Sequence, residues 1–176
     1  MPFDHPSTNP LLAAWDTPHG LPPFDAIRPE HFAPAFEQAL AAHRAEVDAI
    51  AARGEAADFA NTIAAFDAAG ADYKRIERVF GNLTASATSP ALQAAERELA
   101  PRLAAHDAAI YLHGALFARI DAVHERRLEL GLTPEQLRLT ERVHLDFVRA
   151  GARLAPAARA RVATIAEELA ALQTQF

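Results

Sequence analysis

Several residue types are missing from this sequence or nearly so. The 176 residues include no cysteine, one methionine and one tryptophan, and Lys74 is the only lysine. Without cysteine the chain can form neither disulfide bonds nor thiolate metal sites, which is typical of a cytoplasmic protein. Arginine carries nearly all of the positive charge and the formal net charge is −6, so a basic stripe for nucleic acid is excluded.

Long apolar runs and strand patterns are missing as well. No run is long enough to span a membrane, and the first residues lack the basic and then apolar order of a signal peptide. Alternation of apolar and polar residues never extends far, and the turn dipeptides of hairpins do not occur. We therefore expect a cytoplasmic protein with no β-sheet and with no membrane or nucleic-acid partner.

What the sequence does have is apolar residues at helical spacing. They make up 51% of the chain, enough for one domain with a sizeable core. The clearest pattern follows Ser89, which can cap a helix that begins at Pro90. Its apolar positions form two runs: Leu92, Ala95, Leu99, Leu103, His106 and Ile110, then Leu116, Phe117, Ile120, Val123 and Leu128. Gly114 predicts a break between the runs, and Gly131 predicts the end of the second run.

Similar signals along the chain predict an all-α, antiparallel bundle of five or six helices. The helices are expected to begin near Pro29, Asn61, Pro90, Gly114, Pro134 and Pro156. Gly70 lies on the apolar stripe of the second helix, which predicts that a neighbouring helix approaches closely. Phe80 lies on the same stripe and is expected in the core. His43 lies on the stripe of the first helix, where a buried histidine with one hydrogen-bond partner is favoured over a metal ligand.

The first residues differ from the rest because they are rich in proline. Residues 1–28 contain six prolines, and proline at such spacing prevents a long helix. Leu11, Leu12 and Trp15 nevertheless make the segment apolar. We therefore expect residues 1–28 to form an extended arm across a helical region at residues 29–176, with Trp15 as its anchor.

The last helix keeps its apolar stripe to the end of the sequence. The stripe consists of Val162, Ile165, Leu169, Leu172 and Phe176. No glycine or proline occurs between Pro156 and the final residue. The pattern therefore favours a helix whose partners lie beyond Phe176. In the absence of those partners, we expect the exposed stripe to pair two copies of the chain.

One motif comes close to a catalytic signature. A zinc peptidase motif has His-Glu-x-x-His on one helix, where the two histidines hold zinc and the glutamate activates water. Here His124 and Glu125 are followed by Leu128 in the place of the second histidine. The sequence therefore predicts a solvated charged patch at this point, and we assign no residue of the chain to catalysis, cofactor binding or metal binding.

A carboxylate-bridged di-metal site is a weaker alternative. Bundles of that kind use Glu-x-x-His on two helices and a glutamate from each of two others. The candidates are Glu141 with His144, Asp121 with His124, and Glu167 or Glu168. Aspartate is shorter than the usual bridging acid, and a sixth ligand has no candidate.

Segments along the whole chain resemble the N-terminal part of bacterial peptidyl-dipeptidases. They are Asn9-Pro10-Leu11-Leu12, the run from Leu21 to Phe32, Pro34-Ala35-Phe36, Asn61-Thr62-Ile63, Leu116 to Ile120, and Asp146 to Ala152. Both their order and their spacing agree. The chain therefore resembles the thimet oligopeptidase-like zinc metallopeptidases, and in particular their dipeptidyl carboxypeptidase branch.

The resemblance implies a longer, mostly helical protein that holds zinc in a deep channel and cleaves short peptides. In the dipeptidyl carboxypeptidase branch the reaction removes C-terminal dipeptides. The family's zinc ligands lie far beyond the part that corresponds to this chain, so none of them falls on these residues. The resemblance thus implies an inactive N-terminal segment that shapes the channel, with the missing C-terminal catalytic domain as its partner.

A free-standing helical interaction module is the alternative from another class, and the di-metal bundle is the third interpretation. A strictly monomeric chain with a buried Leu169 would favour the module. A reading frame that continues beyond Phe176 into a His-Glu-x-x-His motif would favour the peptidase, whereas a native stop codon would favour the module.

Overall fold

Helices account for nearly all regular structure in residues 9–174, the part of the chain that the computed structural model describes. The helices are α1 (Phe32–Ala51), α2 (Ala65–Ala68), α3 (Ala71–Ser86), α4 (Pro90–Tyr111), α5 (Gly114–Glu125), α6 (Pro134–Ala150) and α7 (Pro156–Gln173). Short 3₁₀ turns at Pro18–Gly20 and Pro29–His31 and a π-helical turn at Phe59–Ala64 complete them. No strand occurs within this range, and the predicted all-α helical bundle is confirmed.

Local capping explains why several helices begin where the sequence predicts. Ser89 accepts a hydrogen bond from the backbone of Leu92 at 3.2 Å and so caps α4. Thr133 and Gln136 form the reciprocal capping box of α6, with bonds of 3.0 and 3.3 Å. At the predicted break near Gly114, the His113 side chain caps α5. Each of these signals acts within three residues of sequence.

The second helix is not the single rod that the sequence suggests. Asn61 lies inside the π-helical turn, which Asp58 caps by accepting from its backbone at 2.7 Å. After α2 the chain breaks at Gly70, whose φ of 70° is left-handed, and α3 begins at the next residue. The prediction of a close approach at Gly70 is correct, because a Cβ there would lie 2.8 Å from the His43 ring. The prediction that Gly70 lies within a helix is wrong.

The second apolar run also ends earlier than expected. α5 stops at Glu125 and a series of turns continues to Gly131. Arg127 folds back and donates from its guanidinium to the carbonyl of His124 at 2.8 Å, which satisfies a carbonyl at the helix end. Leu128 is 78% exposed and is not part of the core.

Two apolar clusters form the core. The first joins α1, α3 and the start of α4 around Phe32, Phe36 and Phe80, with Leu11 and Ile27 from the preceding segment. The second joins α1 to α5 and α6 around Phe147. Its other fully buried members are Val47, Ile63, Leu116, Ile120 and Val123. The prediction that Phe80 is buried is confirmed.

The proline-rich segment is attached to α3. Arg75 lies over the Trp15 ring at 4.7 Å and donates to the carbonyl of Leu11 at 3.1 Å. The Trp15 indole donates to the carbonyl of Pro10 at 2.9 Å. These contacts fit an anchored arm, although residues 1–8 lie outside the described range. The division into an arm and a helical region stays a prediction.

The last helix, α7, packs chiefly on α4 and has no fully buried residue. Ile165, Leu169 and Leu172 are 39%, 51% and 50% exposed, and Phe176 lies outside the described range. None of the helices between residues 9 and 174 is both long and apolar enough to cross a membrane.

Replacing Phe80 by alanine is expected to lower the free energy of unfolding by ~3–5 kcal/mol, the usual loss for a buried aromatic ring. The ring centroid lies 4.7 Å from that of Phe32 and 5.5 Å from that of Phe36. Urea titration measures the change. Phe24→Ala is the matched control, because Phe24 is 46% exposed. Similar losses in both variants would contradict this core assignment.

Gly70→Ala is expected to destabilise the chain by ~1–3 kcal/mol, because alanine is strained at a left-handed φ and would meet the His43 ring. Gly81→Ala is the control within α3, where a Cβ would have no neighbour within 4 Å. That change should stabilise by ~0.5–1 kcal/mol, because glycine is unfavourable inside a helix. Thermal unfolding that shifts in the same direction for both variants would disprove the steric account.

Candidate functional site

The near-match to a zinc peptidase motif does not lie on one helix. His124 is in the last turn of α5, while Leu128 follows in the turns beyond it. A histidine pair needs one continuous helix to present both rings on the same side. The interpretation of this motif as a charged surface patch therefore agrees with the backbone as well as with the sequence.

Four of the residues weighed for a di-metal site lie at the contact between α5 and α6: Asp121, His124, Glu141 and His144. Glu167 and Glu168 lie instead on α7, which packs chiefly on α4. The His144 Nε2 and the Asp121 Oδ1 lie 2.8 Å apart, and the His124 and His144 rings stack with centroids 3.7 Å apart. Arg153 donates to the same Asp121 oxygen at 3.2 Å.

Arginine side chains occupy the carboxylates that a metal would need. Besides the bond from Arg153 to Asp121, the Arg127 Nε lies 3.5 Å from the Glu141 Oε1. Within residues 9–174, no three histidine, aspartate or glutamate side chains are grouped as a metal site. The arrangement is that of a polar contact between two helices.

The pKa shifts in this contact follow from the same neighbours. Burial would raise the pKa of Asp121, but hydrogen bonds from His144 and Arg153 outweigh it and lower that pKa. Burial, with the positive charges of His144 and Arg127, lowers the pKa of His124. Asp121 is thus held ionised while His124 favours its neutral form.

A cleft of about 460 Å³ opens on another part of the bundle, between α3, α4 and α6. Phe66, Ile110 and Tyr111 contribute its apolar walls. Charged side chains surround them: Asp67, Lys74, Glu77, Asp107, Arg142 and Asp146. Clefts that combine apolar walls with a few converging polar groups are the usual form of ligand sites, so this is the candidate site of the described chain.

Two linked hydrogen-bonded groups lie at one end of the cleft, and all of their members except His106 line it. The His43 Nδ1 and the His106 Nε2 lie 2.9 Å apart, and the His43 ring stacks on Tyr73. The Tyr73 hydroxyl lies 3.1 Å from the Glu77 Oε1 and 3.3 Å from the Asp107 Oδ1. His43 is 7% exposed, so the prediction of a buried histidine with one partner is confirmed.

The Tyr73 hydroxyl has only one proton to donate, although two carboxyl groups lie beside it. A proton on Asp107 would resolve this, because Asp107 could then donate to Tyr73 while Tyr73 donates to Glu77. Asp107 as a whole is exposed, but the desolvation of its carboxyl group by the surrounding helices and the charge of Glu77 raise its pKa to about 6. The pair can therefore hold one proton at about pH 6 and below.

The pKa values of the two histidines are lowered, whereas the pKa of Asp107 is raised. Burial, with the charges of His43 and Arg44, lowers the pKa of His106 to about 4. Burial and the positive charge of Lys74 lower the pKa of His43. Since burial and the two carboxylates raise the pKa of Tyr73, its phenol stays protonated and acts as a hydrogen-bond donor. The cluster can store a proton and orient polar groups.

The sequence analysis did not predict the cluster of Tyr73, Glu77 and Asp107. Tyr73 and Glu77 are four residues apart, a spacing that places them on the same side of α3. Asp107 follows His106 on α4 and reads as an ordinary solvated acid. The pairing of the two helices brings these residues together, and no local pattern reports it.

Comparison with known proteins supports the predicted resemblance. No profile of a known protein family matches the chain. Dipeptidyl carboxypeptidase of Salmonella typhimurium is 42% identical over 170 residues, which are 97% of this chain and 25% of that protein. Its counterpart in Escherichia coli is 42% identical over 168 residues, or 96% of this chain and 25% of the relative. Oligopeptidase A of Salmonella typhimurium is 30% identical, over 96% of this chain and 24% of the relative.

The resemblance to dipeptidyl carboxypeptidases is confirmed by these matches, and oligopeptidase A is similar at lower identity. The alignments cover almost all of this chain. The chain, however, spans about a quarter of the length of the relatives that it matches.

Asp107→Asn is expected to raise the free energy of unfolding at pH 8 and to have little effect at pH 4. The pKa of Asp107 rises from 3.8 to about 6 in the folded chain, so the folded chain binds the extra proton between these values. The contribution of this proton to the free energy of unfolding is fully present below pH 3.8 and is lost as the pH rises through 6. Urea titrations from pH 4 to pH 8 measure the effect.

His106 makes the opposite contribution, because its pKa falls from 6.5 to about 4. Its stability is present above pH 6.5 and is lost as the pH falls through 4. Asp107→Asn should therefore steepen the loss of stability upon acidification. Asp25→Asn, which removes the same charge from a residue outside the cleft, is the control. Parallel profiles for the two variants would contradict the assignment to Asp107.

Proposed function

We propose that the chain is the N-terminal helical part of a longer, cytoplasmic, zinc-dependent peptidyl-dipeptidase that hydrolyses short peptides. The observation that carries this proposal is the 42% identity to dipeptidyl carboxypeptidases along 97% of this chain. Those relatives are about four times as long, since the match covers 25% of their length. In this proposal the remaining C-terminal part holds the catalytic groups.

The described residues do not fit a zinc site by themselves. Asp121 and His144 are hydrogen-bonded to each other. Arg127 forms an ion pair with Glu141, and Arg153 forms one with Asp121. No group of three ligand side chains placed to hold a metal occurs in residues 9–174. Zinc in the whole protein would therefore be held by residues outside this range, and the isolated chain is proposed to be inactive.

The role proposed for this segment is to shape and cover the substrate channel. A helical body with two packed apolar clusters is rigid enough to form a wall. The cleft between α3, α4 and α6 adds polar and aromatic groups that could line a path for peptides. Such a wall would restrict entry to short, unfolded substrates.

A helical interaction module is the second candidate, and the exposed apolar residues of α7 favour it. Both functions use that surface, but only the peptidase explains the similarity to dipeptidyl carboxypeptidases. The di-metal bundle is less favoured, because guanidinium groups occupy its proposed carboxylate ligands.

The test compares the 176-residue chain with the product of the complete reading frame that contains it. Each is purified and mixed with a short peptide that has a blocked N-terminus and a free C-terminus. We expect the longer protein to release the C-terminal dipeptide, to retain zinc after dialysis and to lose activity to a chelator. The same peptide with an amidated C-terminus is the substrate control. The 176-residue chain should show neither cleavage nor bound zinc.

Three results would contradict the proposal. A reading frame that ends at Phe176 would remove the proposed catalytic part. A longer protein that cleaves no peptide would favour the interaction module. Stoichiometric zinc in the short chain, abolished by His124→Ala but not by His19→Ala, would show that the contact between α5 and α6 is a metal site after all.

A further inference from the structure

α7 faces its neighbour with its small residues and faces solvent with its large ones. Ala163, Ala166 and Ala170 are half-buried on the side that meets α4. Ile165, Leu169 and Leu172 are each between 39% and 51% exposed. In an ordinary surface helix the bulky apolar stripe faces the core and small or polar residues face water, so this orientation is reversed.

Alanine residues of α4 also lie along this contact. Grooves between the two helices include Ala100, Ala105 and Ala108 of α4, with Ala160 and Ala163 of α7. Longer side chains, among them Arg97 of α4 and Leu112 just after it, line the same grooves. Alanine faces allow helices to approach closely. This packing half-buries the small side of α7 and leaves Ile165, Leu169 and Leu172 largely open to solvent.

We propose that Ile165, Leu169 and Leu172, the outer stripe of α7, are the docking surface for the remaining part of a longer polypeptide. This inference rests on the proposed function, because it names where the catalytic part attaches. The partner surface is expected to be apolar and helical, since the stripe has the three- and four-residue spacing of a helix contact. Arg161 and Glu168 flank the stripe and favour a partner with charges of both signs.

The length of the relatives argues for this occupant. About three quarters of each dipeptidyl carboxypeptidase lies outside the matched quarter. A segment of the same polypeptide acts at an effective concentration that reaches roughly millimolar for a short flexible connection. A second copy of the chain would need a comparable concentration to compete, so the covalently joined segment is the favoured occupant.

Because the chain contains no cysteine, one introduced thiol reports the accessibility of the stripe. Leu169→Cys is prepared in the 176-residue chain and in the complete protein, and its reaction with a thiol reagent is followed by peptide mass spectrometry. We expect labelling of position 169 to be at least about tenfold slower in the complete protein, as for other protected groups. Leu128→Cys, at a position 78% exposed, gives the rate for an open side chain.

A charge substitution tests the same contact through stability. Leu169→Glu should leave the melting temperature of the 176-residue chain unchanged, because Leu169 is already half-exposed there. In the complete protein the same change should lower the melting temperature. Combined with Ile165→Cys, it should also speed the labelling of that thiol. Leu128→Glu is the matched control and should change neither protein.

Equal labelling of Leu169→Cys in the two proteins would overturn the proposal. Protection that increases with protein concentration in the complete protein would also overturn it, in favour of a second copy. If position 169 is protected in a complete protein that cleaves no peptide, the docking surface stands and the proposed function fails.

Discussion

Contact between Gly70 and the His43 ring determines how α1 and α3 meet. The left-handed glycine ends α2, starts α3 and leaves room for the imidazole. Its backbone N–H donates to the Glu46 carboxylate at 2.7 Å, which fixes the turn against α1. With α3 placed in this way, Tyr73 stacks on His43 and its hydroxyl reaches the acids of the cleft. One missing side chain thus supports both the helix packing and the candidate site.

The features that could be predicted from the sequence are those with local causes. Ser89 and Thr133 cap their helices through backbone groups three residues away, so their positions could be read directly from the sequence. The break at Gly70 depends instead on a ring from another helix. Periodicity shows which side of α3 is buried, but it does not show that Gly70, just before α3, has a left-handed backbone conformation. The single rod predicted there is therefore wrong.

The polar groups show the same division. His43 was predicted as a buried histidine because it lies on an apolar stripe, yet its partner His106 comes from 63 residues away. The stacking of His124 on His144 likewise depends on the pairing of α5 and α6. Similarity to dipeptidyl carboxypeptidases was predictable because it resides in the order of short segments, which does not depend on three-dimensional contacts.

The alanine contact between α4 and α7 has a consequence for the order in which the segment assembles. Alanine side chains bury little apolar area. Separating α7 from the bundle therefore costs less free energy than unfolding either of the two apolar clusters of the core. α7 should open and close many times during the lifetime of the folded core. Backbone amides of α7 would then exchange with solvent first, and during synthesis α7 would be the last helix of the segment to become fixed.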